Sequence, residues 1–247
     1  SRKKVNIQRI WIVFILLFVF LLAGCTGTGG MGDMDWSEEK KIKEKAIQYI
    51  KDTYNKDFKV SDVSKDRFTG QTYTVRGNVK DQKNTQVSII MEPNEIRDTY
   101  VAALWTEELK PKITSLVENN FDVRKIEHIS YSNGTEKDKY TGEIPSIFTI
   151  LENGGEPEYE LALVFNIYEQ NGRYEQGIKN FLKALKGMHF NEVVMEIFVL
   201  EDKFKTTPEG TNDSNHILSR YNIYFEDIQK VDIDHHDLDQ YKTVIKE

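Results

Sequence analysis

Cysteine and proline are scarce in this sequence. Its 247 residues include one cysteine, Cys25, and five prolines. A single cysteine cannot form an intramolecular disulfide, so a disulfide framework is excluded and a hydrophobic core must hold the fold. The roughly 220 residues that follow Cys25 are enough for one large or two small domains with such a core.

Basic residues are also fewer than acidic residues. The sequence has 33 Lys and Arg against 40 Asp and Glu, and residues 1–24 hold four of the basic residues and no acid. Without those residues the net charge falls from −7 to −11, with 29 basic against 40 acidic side chains. Nucleic-acid binding needs clustered Lys and Arg that displace counterions from phosphates. We therefore expect no nucleic-acid partner, and no polybasic patch that would bind a membrane.

Sequence motifs that mark common catalytic sites are missing. The sequence has neither the G-x-S-x-G turn of serine hydrolases nor a P-loop. Catalytic triads also assemble from distant positions, so a short motif search does not cover them. We predict no catalytic residue from the sequence, and we favour a binding protein over an enzyme.

The sequence has one long apolar run, close to its start. Residues 10–23, IWIVFILLFVFLLA, carry no charge and follow a short segment with four basic residues. A membrane-spanning helix needs about 20 apolar residues. The run is shorter than that, so it is typical of the hydrophobic region of a signal peptide rather than of a permanent membrane helix.

The segment at the end of this run, Leu22-Ala23-Gly24-Cys25, resembles the lipobox of bacterial lipoprotein precursors. The resemblance covers residues 1–25. It implies cleavage between Gly24 and Cys25 and transfer of diacylglycerol to the Cys25 sulfur, with no other cofactor. It also implies a lipid-anchored protein on the outer face of the cell membrane, and the content of Lys, Asn, Ile and Tyr favours a Gram-positive source.

The chain is predicted to contain two modules after a removable leader. Residues 1–24 are the signal peptide, and the Gly-rich residues 25–35 are a flexible tether. Residues 36–120 are typical of an α-β-β-β-α module, in which residues 72–79 and 85–91 form a β-hairpin and the second helix starts at Glu95. Its first helix is expected to be N-capped by Ser37, and its second helix to be kinked or broken at Pro111.

The second α+β module is predicted to cover residues 121–247. Its expected strands are 121–131, 144–151, 158–169, 191–200 and 220–228, and its expected helices are 173–187 and the tail at 237–247. Short turns join most of these strands. The sequence therefore predicts an α+β fold with antiparallel sheets and packed amphipathic helices, rather than a doubly wound parallel sheet.

The densest group of metal-ligand side chains lies in residues 232–239, DIDHHDLD. Asp234, His235, Asp237 and Asp239 could supply oxygen and imidazole ligands to a divalent cation. The spacing matches neither an EF-hand calcium loop nor an H-E-x-x-H helix. Two interpretations stay open: a solvated acidic loop near the C-terminus, or a metal site.

Tyrosine is frequent in the strands of the second module. In the segment YNIYFED, Tyr221 and Phe225 would share one face of a strand, and Tyr224 would lie on the other. One interpretation is a buried face and an exposed face. The other is a binding surface formed by Tyr168, Tyr221 and Tyr224, because tyrosine offers a rigid contact area with a polar tip.

Together these features favour a membrane-anchored, non-enzymatic protein that binds a protein or polymer of the cell envelope. Two alternatives remain. One is a metal-dependent envelope hydrolase that uses Asp234–Asp239. The other is a solute-binding lipoprotein, which would need two βα-rich lobes around a cleft.

Overall fold

The computed structural model describes residues 33–134, 136–208 and 211–246. The predicted signal peptide, the lipobox with Gly24 and Cys25, and most of the predicted tether therefore lie outside the described residues. Within these ranges, no helix has the length and apolar character needed to cross a membrane.

The described residues form an α+β fold with four α-helices and two sheets, which confirms the predicted fold class. The helices are α1 (Trp36–Tyr54), α2 (Tyr100–Asn120), α3 (Ile147–Glu152) and α4 (Tyr174–Gly187). The first sheet contains β1 (Phe58–Lys65), β2 (Tyr73–Val79), β3 (Gln86–Met91) and β4 (Ile96–Asp98). The second sheet contains β5 (Val123–Ser132), β6 (Glu160–Tyr168), β7 (Glu192–Leu200), β8 (Ile217–Phe225) and β9 (Lys242–Val244).

Helix α1 begins two residues earlier than predicted because Asp35, not Ser37, is its N-cap. The Asp35 carboxylate accepts a hydrogen bond of 2.8 Å from the backbone N–H of Glu38. Ala46, Ile50 and Tyr54 follow one another at four-residue spacing and are buried beneath the helix. Through this single apolar stripe, α1 packs against β1 and β2 of the first sheet.

The first sheet is an antiparallel meander in the order β1-β2-β3-β4. The predicted hairpin of β2 and β3 is present, with Tyr73 opposite Met91 and Asn78 opposite Gln86. Strand β4 was assigned to the following helix in our prediction, and that assignment is wrong. A strand of three residues is too short to show a period of two in the sequence.

Helix α2 runs without interruption through Pro111, so the helix does not break there as the sequence had suggested. An internal proline loses one helical hydrogen bond and costs about 3 kcal/mol. The buried face of α2 continues on both sides of it, through Trp105, Leu109, Ile113 and Val117. Each such side chain contributes about 1.5–3 kcal/mol when it is buried, so packing outweighs the cost of the proline.

The second sheet has the order β5-β6-β7-β8-β9, and β6 pairs with β7 in parallel while the other pairs are antiparallel. Helix α4 makes the crossover between the two parallel strands. It approaches the end of α2 closely at Gly177, where an added Cβ would lie 2.4 Å from the Asn120 carbonyl oxygen.

Two further predicted elements of the second module are wrong. Residues 144–151 were expected to be a strand, but α3 lies there, N-capped by Ser146, with Ile147 and Leu151 buried one turn apart. The tail at 237–247 was expected to be a helix, but β9 lies there and pairs with the edge of β8. In both cases neighbouring elements, rather than the local pattern, select the conformation.

The two predicted modules, 36–120 and 121–247, share one core. Buried apolar side chains of both sheets form a continuous cluster around α2. The Thr106 hydroxyl accepts from the backbone N–H of Tyr131, at 2.9 Å, and donates to the carbonyl oxygen of the same residue, at 3.2 Å. Trp105 lies against the rings of Tyr131 and Tyr159. Helix α2 therefore joins the sheets.

Candidate functional site

The segment that contains the predicted metal ligands lines a cavity of about 520 Å³. The other walls of this cavity come from the start of α4 and from Tyr221. Asp234, His235, Asp237 and Asp239 all contribute to the lining. The four residues therefore lie at one concave surface, which the sequence did not predict.

The partners of these side chains are other protein groups. The Asp234 carboxylate pairs with the ammonium group of Lys183. The His235 Nδ1 lies 2.8 Å from the Asp232 carboxylate, and the His235 side chain is 85% exposed. Within the described ranges, no three His, Cys, Asp or Glu side chains are arranged to hold a metal ion. The four predicted ligands thus do not converge, and the segment has the geometry of a solvated acidic loop.

The predicted surface of three tyrosines is also wrong. Tyr221 is 1% exposed and belongs to the core beneath α4. Tyr168 is 6% exposed, and its hydroxyl accepts a 3.1 Å hydrogen bond from Arg124. Tyr224 is half-buried and lies on the opposite face of β8 from Tyr221. The predicted alternation along β8 is confirmed, but it leaves only one of these three tyrosines at the surface.

Tyr224 belongs to the face of the second sheet opposite the one that packs on α4, and we call this the outer face. Glu160 and Glu192 stand side by side on this face, because they are paired in the parallel register of β6 and β7. The Tyr224 hydroxyl donates a hydrogen bond of 2.9 Å to Glu192. On β5, the neighbouring strand, His128 Nε2 lies 2.8 Å from the Ser130 hydroxyl oxygen.

A groove of about 930 Å³ lies between the outer face, α2 and the turn that joins β2 to β3, and it is lined by Glu160, Glu192, His128 and Ser130 but not by Tyr224. Five carboxylates contribute to its lining, whereas Lys83 and His128 are the basic residues there. The five are Asp98, Glu107, Glu158, Glu160 and Glu192. We call this feature the acidic groove. Residues from both predicted modules build it, so it exists only because α2 joins the two sheets.

Burial changes the pKa values of two side chains in the acidic groove. Burial, together with the negative charge of Glu192, raises the pKa of Glu160 to about 8. At neutral pH Glu160 therefore keeps its proton and hydrogen-bonds to the Glu192 carboxylate. Burial, with a smaller effect of Lys110, lowers the pKa of His128, which favours the neutral imidazole. The groove thus holds a proton that an approaching cation could displace.

The sequence did not single out Glu160 and Glu192. Each stands at the start of an apolar run, in ELALVF and EVVMEI, and this is the one local signal that they share. An acid at the end of a strand is usually solvated. Their proximity comes from the parallel pairing of β6 with β7, which no short segment reveals.

Comparison with known proteins adds little to this description. No protein-family model matches the sequence, and no curated protein does. Among solved structures, the chain is similar to a DUF5037 family protein from Ruminococcus gnavus ATCC 29149. The two are 13% identical, with a TM-score of 0.41, and the alignment covers 78% of this chain and 96% of the other. A similarity of this size supports no inference about function.

Proposed function

We propose that this chain is a bacterial lipoprotein, anchored through Cys25 to the outer face of the cell membrane, that acts by binding another envelope protein. The anchor is supported by the order of a basic segment, an apolar run and Leu22-Ala23-Gly24-Cys25. A diacylglyceryl group supplies two acyl chains, and two chains hold a protein on a bilayer stably where one does not.

Metabolic labelling with an alkyne fatty acid tests the anchor in the expressing bacterium. We expect the wild-type chain to take up the label and to migrate as a processed form. Cys25→Ser should lose the label and accumulate as the longer precursor, while Thr26→Ser, one residue away, should behave like wild type. Labelling that survives in Cys25→Ser would contradict the proposal.

The binding role is supported by the acidic groove. Its lining brings five acidic side chains together with Lys83 and His128, in a volume of about 930 Å³ that side chains of a partner could enter. Charge complementarity therefore favours a basic segment of a partner protein. A Lys or Arg side chain near Glu160 and Glu192 would stabilise both carboxylates in the charged form and release the proton that they share.

Titration calorimetry with a synthetic lysine-rich peptide as the probe tests this role. Glu107 and Glu158 lie at the exposed rim of the groove, so Glu107→Gln/Glu158→Gln should weaken binding about tenfold without disturbing the core. The matched control is Glu44→Gln/Glu118→Gln, which removes two exposed acids outside the groove. If peptide binding weakens equally in both variants, the peptide responds only to the net charge of the protein, and the proposed binding role of the groove is wrong.

A further inference from the structure

Two large aromatic side chains are exposed to solvent at one end of the first sheet. Trp36 is 76% exposed and Phe68 is 94% exposed, which makes them the most exposed large apolar residues in the described ranges. Trp36 is the first residue of α1, and Phe68 lies in the turn between β1 and β2. Side chains of this size at the surface are typical of a contact with a partner or a membrane.

The two aromatic residues belong to adjoining elements. Glu38, two residues after Trp36, forms an ion pair of 2.7 Å with Lys65 and accepts a hydrogen bond from the Tyr73 hydroxyl. Lys65 and Tyr73 are the paired residues from which the turn bearing Phe68 projects. The first turn of α1 and the tip of this hairpin therefore lie side by side.

The turn that carries Phe68 is held in place by hydrogen bonds. The Asp66 carboxylate accepts hydrogen bonds from the backbone N–H groups of Phe68, at 3.1 Å, and Thr69, at 3.2 Å. Gly70 closes the turn with a φ of +60° and a hydrogen bond of 2.9 Å to the Asp66 carbonyl oxygen. A turn fixed in this way presents Phe68 outward, with little conformational entropy left to lose on contact.

This end of the molecule is also where the described chain starts. Met34 packs against the core next to Trp36, and Asp33 is the first described residue. Eight peptide units separate Cys25 from Asp33. Even fully extended they span at most about 26–29 Å, so a lipid on Cys25 keeps this end of the fold close to the bilayer.

We propose that Trp36 and Phe68 form a second, non-covalent contact with the membrane, in which both rings enter the interfacial region of the bilayer. This inference rests on the proposed anchor at Cys25. Tryptophan favours the membrane interface because its ring is apolar and its N–H is polar. The Lys40 ammonium lies 5.4 Å from the Trp36 ring centroid, and Lys41 is exposed beside it, so both can meet anionic headgroups.

Tryptophan fluorescence with brominated lipids tests the contact on the full chain. The sequence has three tryptophans, and Trp105 is 0% exposed in the core. When Trp11 is replaced by phenylalanine, Trp36 is therefore the tryptophan whose fluorescence the brominated lipid can quench. The protein is purified from membranes of the expressing bacterium and placed in phosphatidylglycerol–phosphatidylcholine vesicles that carry bromine high on the acyl chain.

We expect quenching and a blue shift in the Trp11→Phe protein, and loss of both in Trp11→Phe/Trp36→Phe. Adding Phe68→Ser should reduce the quenching of Trp36. The matched control is Val244→Ser, because Val244 is 59% exposed but lies in the second sheet, and it should leave the quenching unchanged. Vesicle-bound protein with no quenching above the Trp36→Phe background overturns the contact.

Mass analysis of the same sample separates this inference from the proposed function. A diacylated Cys25 without quenching leaves the lipoprotein proposal intact and refutes the contact. Quenching with an unmodified Cys25 supports the contact and refutes the covalent anchor, because the apolar residues 10–23 then hold the chain in the vesicle.

Discussion

Replacement of Glu160 by glutamine should make the protein more stable at high pH and leave it nearly unchanged at low pH. Burial and the Glu192 charge raise the pKa of Glu160 to about 8 from its ordinary value of 4.5. Because the folded state binds this proton more tightly than the unfolded state, wild-type stability is lost as the pH rises from about 4.5 to about 8. Glutamine has no proton to lose, and its amide N–H can donate to Glu192 as the protonated acid does.

The size of the effect follows from the pKa shift. Each pKa unit corresponds to about 1.4 kcal/mol, so the shift sets an upper limit of about 5 kcal/mol. Glu160 is partly exposed at the groove, and water there screens the repulsion from Glu192. We therefore expect the free energy of unfolding of Glu160→Gln, relative to wild type, to rise by about 2–3 kcal/mol between pH 5 and pH 9.

Urea unfolding of a chain that starts at Asp33, followed by tryptophan fluorescence, measures this difference at each pH. Glu118→Gln is the control, because Glu118 is an exposed acid of α2 that lies outside the groove. If the difference between Glu160→Gln and wild type is the same at pH 5 and pH 9, Glu160 and Glu192 do not share a proton, and the electrostatic account of the acidic groove is wrong.

Four other substitutions test the packing by urea unfolding. Gly177→Ala should lower the free energy of unfolding by about 1–3 kcal/mol, because its Cβ would lie 2.4 Å from an α2 carbonyl oxygen. Gly187→Ala should raise that free energy by about 0.5–1 kcal/mol, because nothing lies within 4 Å of the added Cβ. Arg124→Lys should lower the free energy of unfolding by about 2–4 kcal/mol and speed proteolysis within residues 201–216. The reason is that the Arg124 guanidinium donates to two backbone carbonyl oxygens of that loop, at 2.9 and 3.0 Å. Tyr221→Ala should cost about 3–5 kcal/mol if Tyr221 is buried as described, whereas less than about 0.5 kcal/mol would place it at the surface.

The sequence predicted the elements whose side-chain period is long and uniform. Helix α4 has one apolar stripe, with Ile178, Phe181 and Leu185 buried, and the prediction placed it within a residue of its true start. The hairpin of β2 and β3 combines alternation with a polar turn and was also predicted correctly. In such segments the local pattern and the tertiary environment favour the same structure.

The prediction failed where tertiary contacts decide the conformation. The apolar residues of 144–151 fit a strand as well as a helix, and α3 forms because Ile147 and Leu151 meet the core one turn apart. The break at Pro111 was expected from local cost alone, without the packing of α2 between two sheets. The acidic groove is the extreme case, because Glu160 and Glu192 are 32 positions apart and meet only through strand register.

The two proposed contacts lie at different ends of the first sheet, and the strand geometry shows why both can be used at once. Strand β2 begins at Tyr73, beside the turn that carries Phe68, and ends at Val79, next to the turn that contains Lys83. Its seven residues span about 20 Å at the usual rise per residue. If the Phe68 end faces the bilayer, Lys83 and the acidic groove beside it lie farther from the membrane. A partner could then enter the groove without displacing the domain from the bilayer, and Phe68→Ser should leave binding of the lysine-rich peptide unchanged.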